Sequence, residues 1–600
     1  MVTSAEIDRI VEGRTPARDF VATLGKMGDQ VALRWKAGDG WDEWTFAEYG
    51  ERVARVAAGF RAMGVSPGER IVLMMRNRPE FHVLDMAALM CGATPISIYN
   101  SSSSDQVAYL AGHSHAKVAI VEDGGYLARF TPVRDQLGEL KAIGIVERSD
   151  GGDDGVGFDL DELLGHDPAD LESAAAGGEP EDLATVIYTS GTTGPPKGVA
   201  LSNYNICWTV ECLKASIDFD EFAGKRLVSY LPMAHIAERM TSHYQHAALG
   251  YEVTTCPEPG QVAAYAREVR PNVMFGVPRI WEKMHAGVVG ALAANPEQEQ
   301  QFNDAIAAAT PIVQRKAWDE ATDEDLATWD FFDEVAFRSI RETLCLDQLD
   351  LAISGAAPIP ADLLAWYRAI GVPLSEIYGM SESSGPMTWA PYRVKPGTVG
   401  PAVPGVELQI AEDGEVICRG GNVFVGYLDQ PDKTAEALDD GGWLHSGDIG
   451  ELDDDGYLKI VDRKKELIIT AGGKNISPAN LEAALKMVPL VGQACAIGDK
   501  RPFVSALVVL DPDTAPAWAA QHGIAERDLT ALAENEEVQA EVDRGVADVM
   551  AAFNNAERVK KVRLLGEEWL PDSEELTPTS KLKRRGIHQK YADEIESLYS

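Results

Sequence analysis

The sequence lacks the features that mark secreted, zinc-binding or membrane-spanning proteins. Its seven cysteines, at positions 91, 207, 212, 256, 345, 418 and 495, form no C-x-x-C pair, so neither a disulfide framework nor a zinc site is indicated. No apolar run reaches 18 residues, and residues 1–20 have no apolar signal-peptide core. We therefore expect a soluble, cytoplasmic protein, and peripheral contact with a membrane stays open.

Positive charge is also scarce. The 600 residues include 54 lysines and arginines against 94 acidic residues, which gives a formal net charge of −40. Such a charge argues against binding of nucleic acid or anionic membranes through bulk electrostatics. An anionic ligand must therefore be captured by a local site. The acidity itself is typical of a solvated surface that favours solubility.

Apolar runs followed by loops and helical patterns recur through the first 400 residues, and the chain length predicts at least two domains. The strand-like runs are ATVIYTS (184–190), RLVSYLP (226–232), NVMFGVP (272–278), DLAISGA (350–356) and LSEIYGM (374–380). Strands that alternate with helices predict mostly parallel sheets, whose carboxyl-end loops hold ligands. We expect these five loops to converge on one crevice. Residues 292–347 predict a helical surface insertion with breaks at Pro296 and Pro311.

After about residue 405 the pattern becomes β-rich. Residues 406–420 predict a hairpin with Asp413 and Gly414 in the turn, and a second hairpin surrounds residues 453–457. Ser477 and Pro478 are typical of a helix start. The predicted fold class is α/β: a large N-terminal region of mostly parallel sheets flanked by helices, with a β-rich part (1–463), and a small, mobile C-terminal α+β lid domain (464–600).

One loop is rich in glycine and hydroxyl groups. YTSGTTGPPKG, residues 188–198, has three glycines and one lysine, and its backbone N–H groups could turn toward one anion, phosphate above all. The spacing is not that of a Walker A loop, because Lys197 is followed by Gly198 instead of Ser or Thr. Taken alone, the stretch is equally typical of a flexible surface turn.

Four further segments follow this loop in order: YGMSESSG (378–385), WLHSGDIG (443–450), VDRKKELIITAGGKN (461–475) and LTPTSKLKRR (576–585). With them the chain resembles, over nearly its whole length, the adenylate-forming superfamily of acyl-CoA synthetases, nonribosomal peptide synthetase adenylation domains and luciferases. LPMAHIAER (231–239), GVPRIWEKM (276–284), SGAAPIP (354–360) and GGNVFVGY (420–427) are similar to segments of long-chain fatty-acyl-CoA synthetases in particular.

The resemblance implies ATP, Mg²⁺ and coenzyme A as the molecules that act with a fatty acid. It implies that a loop grips the β- and γ-phosphates, and that loop consists of Ser190, Gly191, Thr192, Thr193, Gly194 and Lys197. Glu382, together with Thr192, is expected to hold Mg²⁺. The adenine pocket is expected at Gly355, Ala356, Ala357, Tyr378 and Gly379. Ser381 stands where the family usually has threonine.

The same resemblance assigns the remaining site residues. Asp448 is expected to take both ribose hydroxyls, and Arg463 to lie on the ribose and phosphate side. His235 is expected near the acyl carboxylate, and Lys581 is the expected catalytic lysine, although its KLKRR run is by itself typical of a solvated face. The hinge position falls on Lys465, and Gly472 and Gly473 are expected to line the pantetheine path after the lid rotates.

The predicted activity is therefore that of an AMP-forming long-chain fatty acid–CoA ligase. The alternatives are a fatty-acyl-AMP ligase that loads an acyl carrier protein, a CoA ligase for another hydrophobic acid, and a nucleotide-binding sensor without catalysis. No extra segment of the kind that distinguishes the carrier-loading group is evident between residues 385 and 460, and every expected charged residue is present. Both observations favour the CoA ligase. The oligomeric state stays open.

Overall fold

The computed structural model describes residues 2–148, 155–189, 195–469, 475–555, 557–570, 573–577 and 580–600. Seven of the expected site residues lie outside the described residues: Ser190, Gly191, Thr192, Thr193, Gly194, Gly472 and Gly473.

The first part of the chain builds a five-stranded parallel sheet. Its elements are α1 (Ser4–Ile10), α2 (Pro16–Met27), β1 (Val31–Ala37), β2 (Gly40–Thr45), α3 (Phe46–Ala62), β3 (Arg70–Met74), α4 (Pro79–Met90), β4 (Thr94–Ser97), α5 (Ser104–His113), β5 (Ala116–Val121), α6 (Gly124–Phe130), β6 (Ala142–Ile145), β7 (Phe158–Asp159), α7 (Leu160–Leu164) and α8 (Leu171–Ala176). The five-stranded sheet has the strand order β4-β3-β5-β6-β7, whereas β1 and β2 join the larger sheet of the second part. β3 and β5 are apolar almost throughout, as expected of parallel strands that are covered on both faces.

The second part builds the sheet that carries the central cleft. Its elements are β8 (Leu183–Thr189), β9 (Lys197–Ser202), α9 (Asn203–Lys214), β10 (Arg226–Ser229), α10 (Ile236–Glu238), α11 (Gln245–Leu249), β11 (Glu252–Thr255), α12 (Val262–Val269), β12 (Val273–Gly276), α13 (Pro278–Leu292), α14 (Pro296–Ala317), α15 (Asp323–Phe332), α16 (Arg338–Leu344), β13 (Leu351–Ser354), α17 (Ala361–Ala369), β14 (Leu374–Met380) and β15 (Gly385–Trp389). A π-helical turn, Arg239–Tyr244, joins α10 to α11.

Eight strands form this sheet in the order β15-β14-β13-β12-β10-β11-β1-β2, and the six inner strands are parallel. Four of the five predicted runs, β10, β12, β13 and β14, are therefore neighbours or near neighbours, as expected. The first run does not join this parallel sheet, because β8 pairs antiparallel with β9 in a separate small sheet, although Tyr188 and Thr189 at its end still line the central cleft. The short connection from Thr189 to Lys197 permits a hairpin but no parallel crossover.

The helical insertion is confirmed in α14 to α16, and so is its break at Pro296, where α14 starts after α13 has ended at Leu292, but the break at Pro311 is not. Pro296 begins α14, a position that needs no N–H donor. Pro311 lies inside the same helix. Phe302 and Ala309 are buried in the core beside α17, so we attribute the continuity of the helix to this packing, which offsets the hydrogen bond that the proline removes.

The third part is an antiparallel β unit. It comprises β16 (Glu407–Ile410), β17 (Glu415–Arg419), β18 (Gly426–Tyr427), α18 (Pro431–Ala437), β19 (Leu444–Leu452) and β20 (Leu458–Arg463), with a sheet order of β16-β17-β19-β20. Both predicted hairpins are confirmed, and Gly414 takes a φ of +86° in the first turn. The register of the second hairpin places Asp448 opposite Arg463.

The C-terminal part has its own hydrophobic core. Its elements are β21 (Ile468–Ile469), β22 (Asn475–Ile476), α19 (Pro478–Leu485), β23 (Val491–Ile497), β24 (Val504–Leu510), α20 (Thr514–Gln521), α21 (Leu529–Ala533), α22 (Glu536–Met550), β25 (Val559–Leu565), α23 (Arg584–Lys590) and α24 (Ala592–Tyr599). Ser477 caps α19 and Pro478 is its first residue, as predicted. We propose that residues 464–600 form one unit, the lid.

Candidate active site

A cleft of about 2560 Å³ lies where the carboxyl ends of β12, β13 and β14 meet the β19–β20 hairpin and the lid. Twelve of the expected site residues line it: Lys197, His235, Ala356, Ala357, Tyr378, Gly379, Ser381, Glu382, Asp448, Arg463, Lys465 and Lys581. They come from segments up to almost 400 residues apart in the chain. The fold therefore brings the expected constellation together in one place.

An acidic side chain on β19 is held by two partners. Asp448 is buried; its Oδ2 accepts a hydrogen bond of 2.6 Å from the Tyr378 hydroxyl, and its Oδ1 lies 3.1 Å from Arg463 Nε. Burial raises the pKa of Asp448, and Arg463 opposes that shift. Each carboxylate oxygen has two lone pairs. Asp448 thus retains acceptor capacity for two further hydroxyl donors.

A second cluster lines the same cleft. The Tyr427 hydroxyl donates to Glu382 Oε1 at 2.7 Å, and Lys197 Nζ lies 3.9 Å from the centre of the Tyr427 ring. Burial lowers the pKa of Lys197, whereas the nearby charge of Glu382 raises it. This arrangement places the buried carboxylate of Glu382 and the cation of Lys197, the first described lysine after the glycine-rich loop, on the same tyrosine.

Lys581 reaches into the cleft from the lid. Its backbone N–H donates to Thr577 Oγ1 at 3.0 Å, and its carbonyl accepts a hydrogen bond from Thr577 N at 2.8 Å. These two hydrogen bonds fix the backbone of Lys581 relative to Thr577. The side chain is accessible to water within the cleft although protein surrounds it, and desolvation together with Arg463 lowers its pKa. Asp448 and Glu382 are close enough to oppose this shift. Lys581 therefore belongs to the cleft and not to a solvated basic face.

His235 lies at the start of α10 with a defined tautomer. Its Nδ1 accepts a hydrogen bond of 3.2 Å from Ala237 N, so in the neutral ring the proton is on Nε2. Burial, with Lys581 as a second cause, lowers the pKa of His235 to about 3. The imidazole is therefore neutral at physiological pH and can donate one hydrogen bond.

Small residues and one buried carboxyl line one part of the cleft, although Gly355 itself is not among the lining residues. A Cβ on Gly379 would lie 1.8 Å from the Gly385 carbonyl oxygen, and a Cβ on Gly355 would lie 2.9 Å from both Ile377 and Phe275. Glu376 lines the same part of the cleft, and burial raises its pKa to about 8. Glu376 is not among the site residues predicted from the sequence. Its place two residues before Tyr378 on a strand was the available signal.

An apolar channel extends from the cleft along the eight-stranded sheet. Val273 and Phe275 of β12 and Leu351 and Ile353 of β13 line it in matching register, because alternate residues of a strand face the same side. Further apolar side chains complete the channel: Leu213, Ile217, Phe222, Met240, Leu249, Tyr251 and Trp389. The channel thus runs back along the strands, away from the charged cleft.

The lid is fastened to the rest of the chain by ionic and capping contacts. Buried Asp462, at the end of β20, accepts hydrogen bonds from Ser477 Oγ (2.7 Å) and Ala479 N (3.0 Å) at the start of α19. On α13, Lys283 pairs with Asp513 at 2.8 Å and Arg279 pairs with Asp511. These contacts hold the lid in the orientation that points Lys581 into the cleft.

Two kinds of feature are absent from the described residues. Within the described ranges no helix has the length and apolarity needed to span a bilayer. The same residues contain no group of three or more histidine, cysteine, aspartate or glutamate side chains suited to a metal ion.

The fold and the cleft define an adenylate-forming enzyme, and comparison with known proteins agrees. The model of the AMP-binding enzyme family matches residues 20–428, and that of the AMP-binding enzyme C-terminal domain matches residues 465–600. The chain belongs to the AMP-binding enzyme family.

Individual relatives cover most of the chain. A putative fatty-acid–CoA ligase, fadD11 of Mycobacterium tuberculosis, is 43% identical over 72% of this chain and 76% of its own length. The long-chain-fatty-acid–CoA ligase FadD15 of Mycobacterium bovis is 35% identical over 93% of each chain. The adenylation domain of a carboxylic acid reductase from Segniliparus rugosus, solved with AMP and a co-purified carboxylic acid, shares the fold with a TM-score of 0.77, at 19% identity over 100% of this chain and 96% of its own.

Proposed function

We propose that this protein is a long-chain fatty acid–CoA ligase that activates the acid with ATP. The carboxylate attacks the α-phosphorus of ATP to give acyl-AMP and pyrophosphate, and the thiol of coenzyme A then attacks the acyl carbonyl and releases AMP. The observation that carries this proposal is the joining of a charged cleft to an apolar channel in one cavity. We further propose that the enzyme works in the cytoplasm.

The nucleotide is assigned to the charged cleft. The adenine lies between the Ala356–Ala357 wall and the Tyr378 ring, where the carboxyl of Glu376 is available to its exocyclic amine. The two ribose hydroxyls donate to Asp448, whose remaining lone pairs accept them beside the hydrogen bond from Tyr378. Arg463 opposes the rise in the pKa of Asp448 that burial causes, and thereby favours the ionised carboxylate.

The phosphates are assigned to the loop at 190–194 and to Lys197. ATP brings several negative charges into a protein of net charge −40, so local cations and N–H donors must offset the repulsion. Lys197 and Lys581 enter the cleft from opposite domains. Together they can neutralise charge at both ends of the triphosphate.

The residues present fit a Mg²⁺ ion that arrives with ATP. Mg²⁺ commonly takes one or two protein carboxylates and otherwise keeps water and phosphate oxygens. Glu382 supplies one buried carboxylate at the cleft, oriented by Tyr427, and we assign the metal to it and to Thr192. When bound, the ion would neutralise phosphate charge and hold the phosphates in place.

In the first half-reaction the protein mainly positions and neutralises charge. The Lys581 ammonium lies between the attacking carboxylate and the α-phosphate, which reduces the repulsion between two anions. His235, neutral with its proton on Nε2, donates a hydrogen bond to the carboxylate. For the second half-reaction the lid rotates about Lys465, which withdraws Lys581 and brings Gly472 and Gly473 to the pantetheine arm.

The channel supports a long aliphatic substrate. The four residues of β13 span about 13 Å at roughly 3.3 Å per residue. With carbon–carbon bonds of about 1.5 Å, an extended alkyl chain advances ~1.3 Å per methylene. The strand-lined part alone therefore accommodates about ten methylenes, and Leu213, Ile217 and Phe222 extend the lining.

The test is release of AMP and pyrophosphate from ATP with a panel of acids of increasing chain length, with and without coenzyme A. We expect acids with at least about ten carbons to be preferred, and AMP release to depend on coenzyme A. Accumulation of acyl-AMP regardless of coenzyme A would favour the carrier-loading alternative. Preference for short or aromatic acids would favour a CoA ligase for another hydrophobic acid, and absence of ATP turnover would favour the sensor.

A further inference from the structure

Helix α5 lies outside the cleft and outside every sequence segment discussed above. The Ser103 side chain caps it, with Gln106 completing a capping box, so its position along the chain is well defined. Its apolar face packs in one core cluster with the β8–β9 hairpin and the loop that follows β18, through Val107, Leu110, Ala111, Val186, Tyr188 and Leu428. The helix is therefore a rigid neighbour of the strands that flank the glycine-rich loop.

Two polar side chains of α5 reach the two stems of that loop. The Tyr109 hydroxyl donates to the Pro196 carbonyl at 2.8 Å, and His113 Nδ1 lies 2.9 Å from the Tyr188 hydroxyl. Tyr188 precedes residues 190–194 and Pro196 follows them. Thus one turn of a single helix holds the chain on both sides of the loop.

The charge state of His113 fits a neutral hydrogen-bonding role. Gln430 Nε2, which can only donate, lies 3.5 Å from His113 Nε2, so in the neutral ring Nε2 accepts and Nδ1–H donates to Tyr188. Burial lowers the pKa of His113. The contact is therefore a hydrogen bond between neutral groups and adds no cation near the phosphates.

We propose that Tyr109 and His113 are positioning residues for Lys197. They fix the separation of Tyr188 and Pro196, the two stems of the loop, so that the ammonium of Lys197, directly after Pro196, is in place before ATP binds. Preorganisation of this kind improves affinity because less ordering is required on binding. This proposal rests on the proposed function, since it assigns the β- and γ-phosphates to the loop.

The test compares ligands that do and do not carry those phosphates. For Tyr109→Phe, His113→Ala and His113→Asn, we would measure by calorimetry the Kd of a non-hydrolysable Mg·ATP analogue and the Kd of AMP, with KM values for ATP, acid and coenzyme A. Loss of one hydrogen bond predicts about 3- to 10-fold weaker binding of the ATP analogue. The Kd of AMP and the KM values for acid and coenzyme A should be unchanged, and His113→Asn, which can place an N–H near the former Nδ1, should recover most of the affinity.

The matched control is His115→Ala. His115 is two residues along the chain and contacts Glu139 and Asp429, but neither stem of the loop, so we expect wild-type affinities. Equal weakening of AMP and ATP, or lack of recovery in His113→Asn, would indicate a general structural role and overturn the proposal. Wild-type ATP affinity in all variants would overturn it while leaving the proposed function intact. If the unmodified protein binds no ATP, both proposals fail.

Discussion

Replacement of Lys581 by alanine is expected to change the rates of the two proposed half-reactions differently. The Lys581 side chain is accessible to water in the cleft, so its removal leaves no buried void, and the turn that carries it is held by Thr577 through the backbone and a hydroxyl. We therefore expect Lys581→Ala to fold normally. Surface substitutions of this kind change the free energy of unfolding by about 0.5 kcal/mol or less.

The expected loss of rate follows from the charge that Lys581 contributes. Two unit charges about 4 Å apart interact by about 4 kcal/mol at an effective dielectric constant of 20, and each 1.36 kcal/mol of barrier is tenfold in rate. That sets an upper value of about 10³. Removal of one preorganised donor typically slows catalysis by about 10²–10³, so we expect adenylation to slow by that factor.

Pyrophosphate release measures the first half-reaction, and thioester formation from premade acyl-AMP and coenzyme A measures the second. Lys581→Ala should slow the first and leave the second near the wild-type rate. The matched control is Lys583→Ala, because Lys583 Nζ donates to the Ser573 carbonyl at 2.8 Å within the lid. That variant should lose a little stability and little adenylation.

Two outcomes would refute this reasoning. If Lys581→Ala slows both half-reactions equally, the lysine acts on something common to both, such as the lid fold. If Lys583→Ala matches it in adenylation, the effect belongs to the basic segment as a whole and not to the residue that faces Asp448 and Glu382.

Three further variants test other parts of the site. Glu382→Gln should slow ATP turnover by roughly 10²-fold with only partial rescue by excess Mg²⁺, because a neutral amide is a weaker ligand and charge stabiliser; AMP release against Mg²⁺ concentration measures this. Lys465→Pro should spare acyl-AMP formation more than thioester formation, since a fixed φ hinders the pivot; the two half-reactions are assayed separately. Glu376→Gln should become more stable than the wild type as pH rises from about 5 to 8, as measured by Tm across that range. Burial raises the pKa of Glu376 to about 8, whereas an unfolded glutamate titrates near 4.3, so the wild type loses stability over this window and glutamine does not.

Each of these expectations has a result that contradicts it. Unchanged activity of Glu382→Gln at low Mg²⁺ would remove Glu382 from the metal site. Equal loss of both half-reactions in Lys465→Pro would argue against the hinge. A Tm difference for Glu376→Gln that is independent of pH would mean that the wild-type carboxyl is ionised throughout.

The sequence by itself determined the elements whose causes are local. The strand runs at 226–232, 272–278, 350–356 and 374–380, the hairpin turn at Gly414 and the helix start at Ser477 all follow from alternation, turn residues and caps within a few positions. The two predictions that were wrong also relied on local patterns. Pro311 does not break α14, and β8 forms an antiparallel hairpin with β9 instead of joining the parallel sheet. In both, packing or connection length outweighed the pattern.

The order of the segments also determined the family and thereby the expected site residues, but no spacing indicates how deep a cavity is. Only the tertiary structure joined the apolar channel to the charged cleft, because Val273, Leu351 and Leu213 meet through sheet register and helix packing. It also placed Lys581 inside the cleft instead of on a solvated face, through the contacts of the lid with β20 and α13. The roles of Glu376 and helix α5 likewise depend on contacts that form only in the folded chain. Their neighbours are distant in the chain, and contacts between distant segments depend on the packing of the whole molecule.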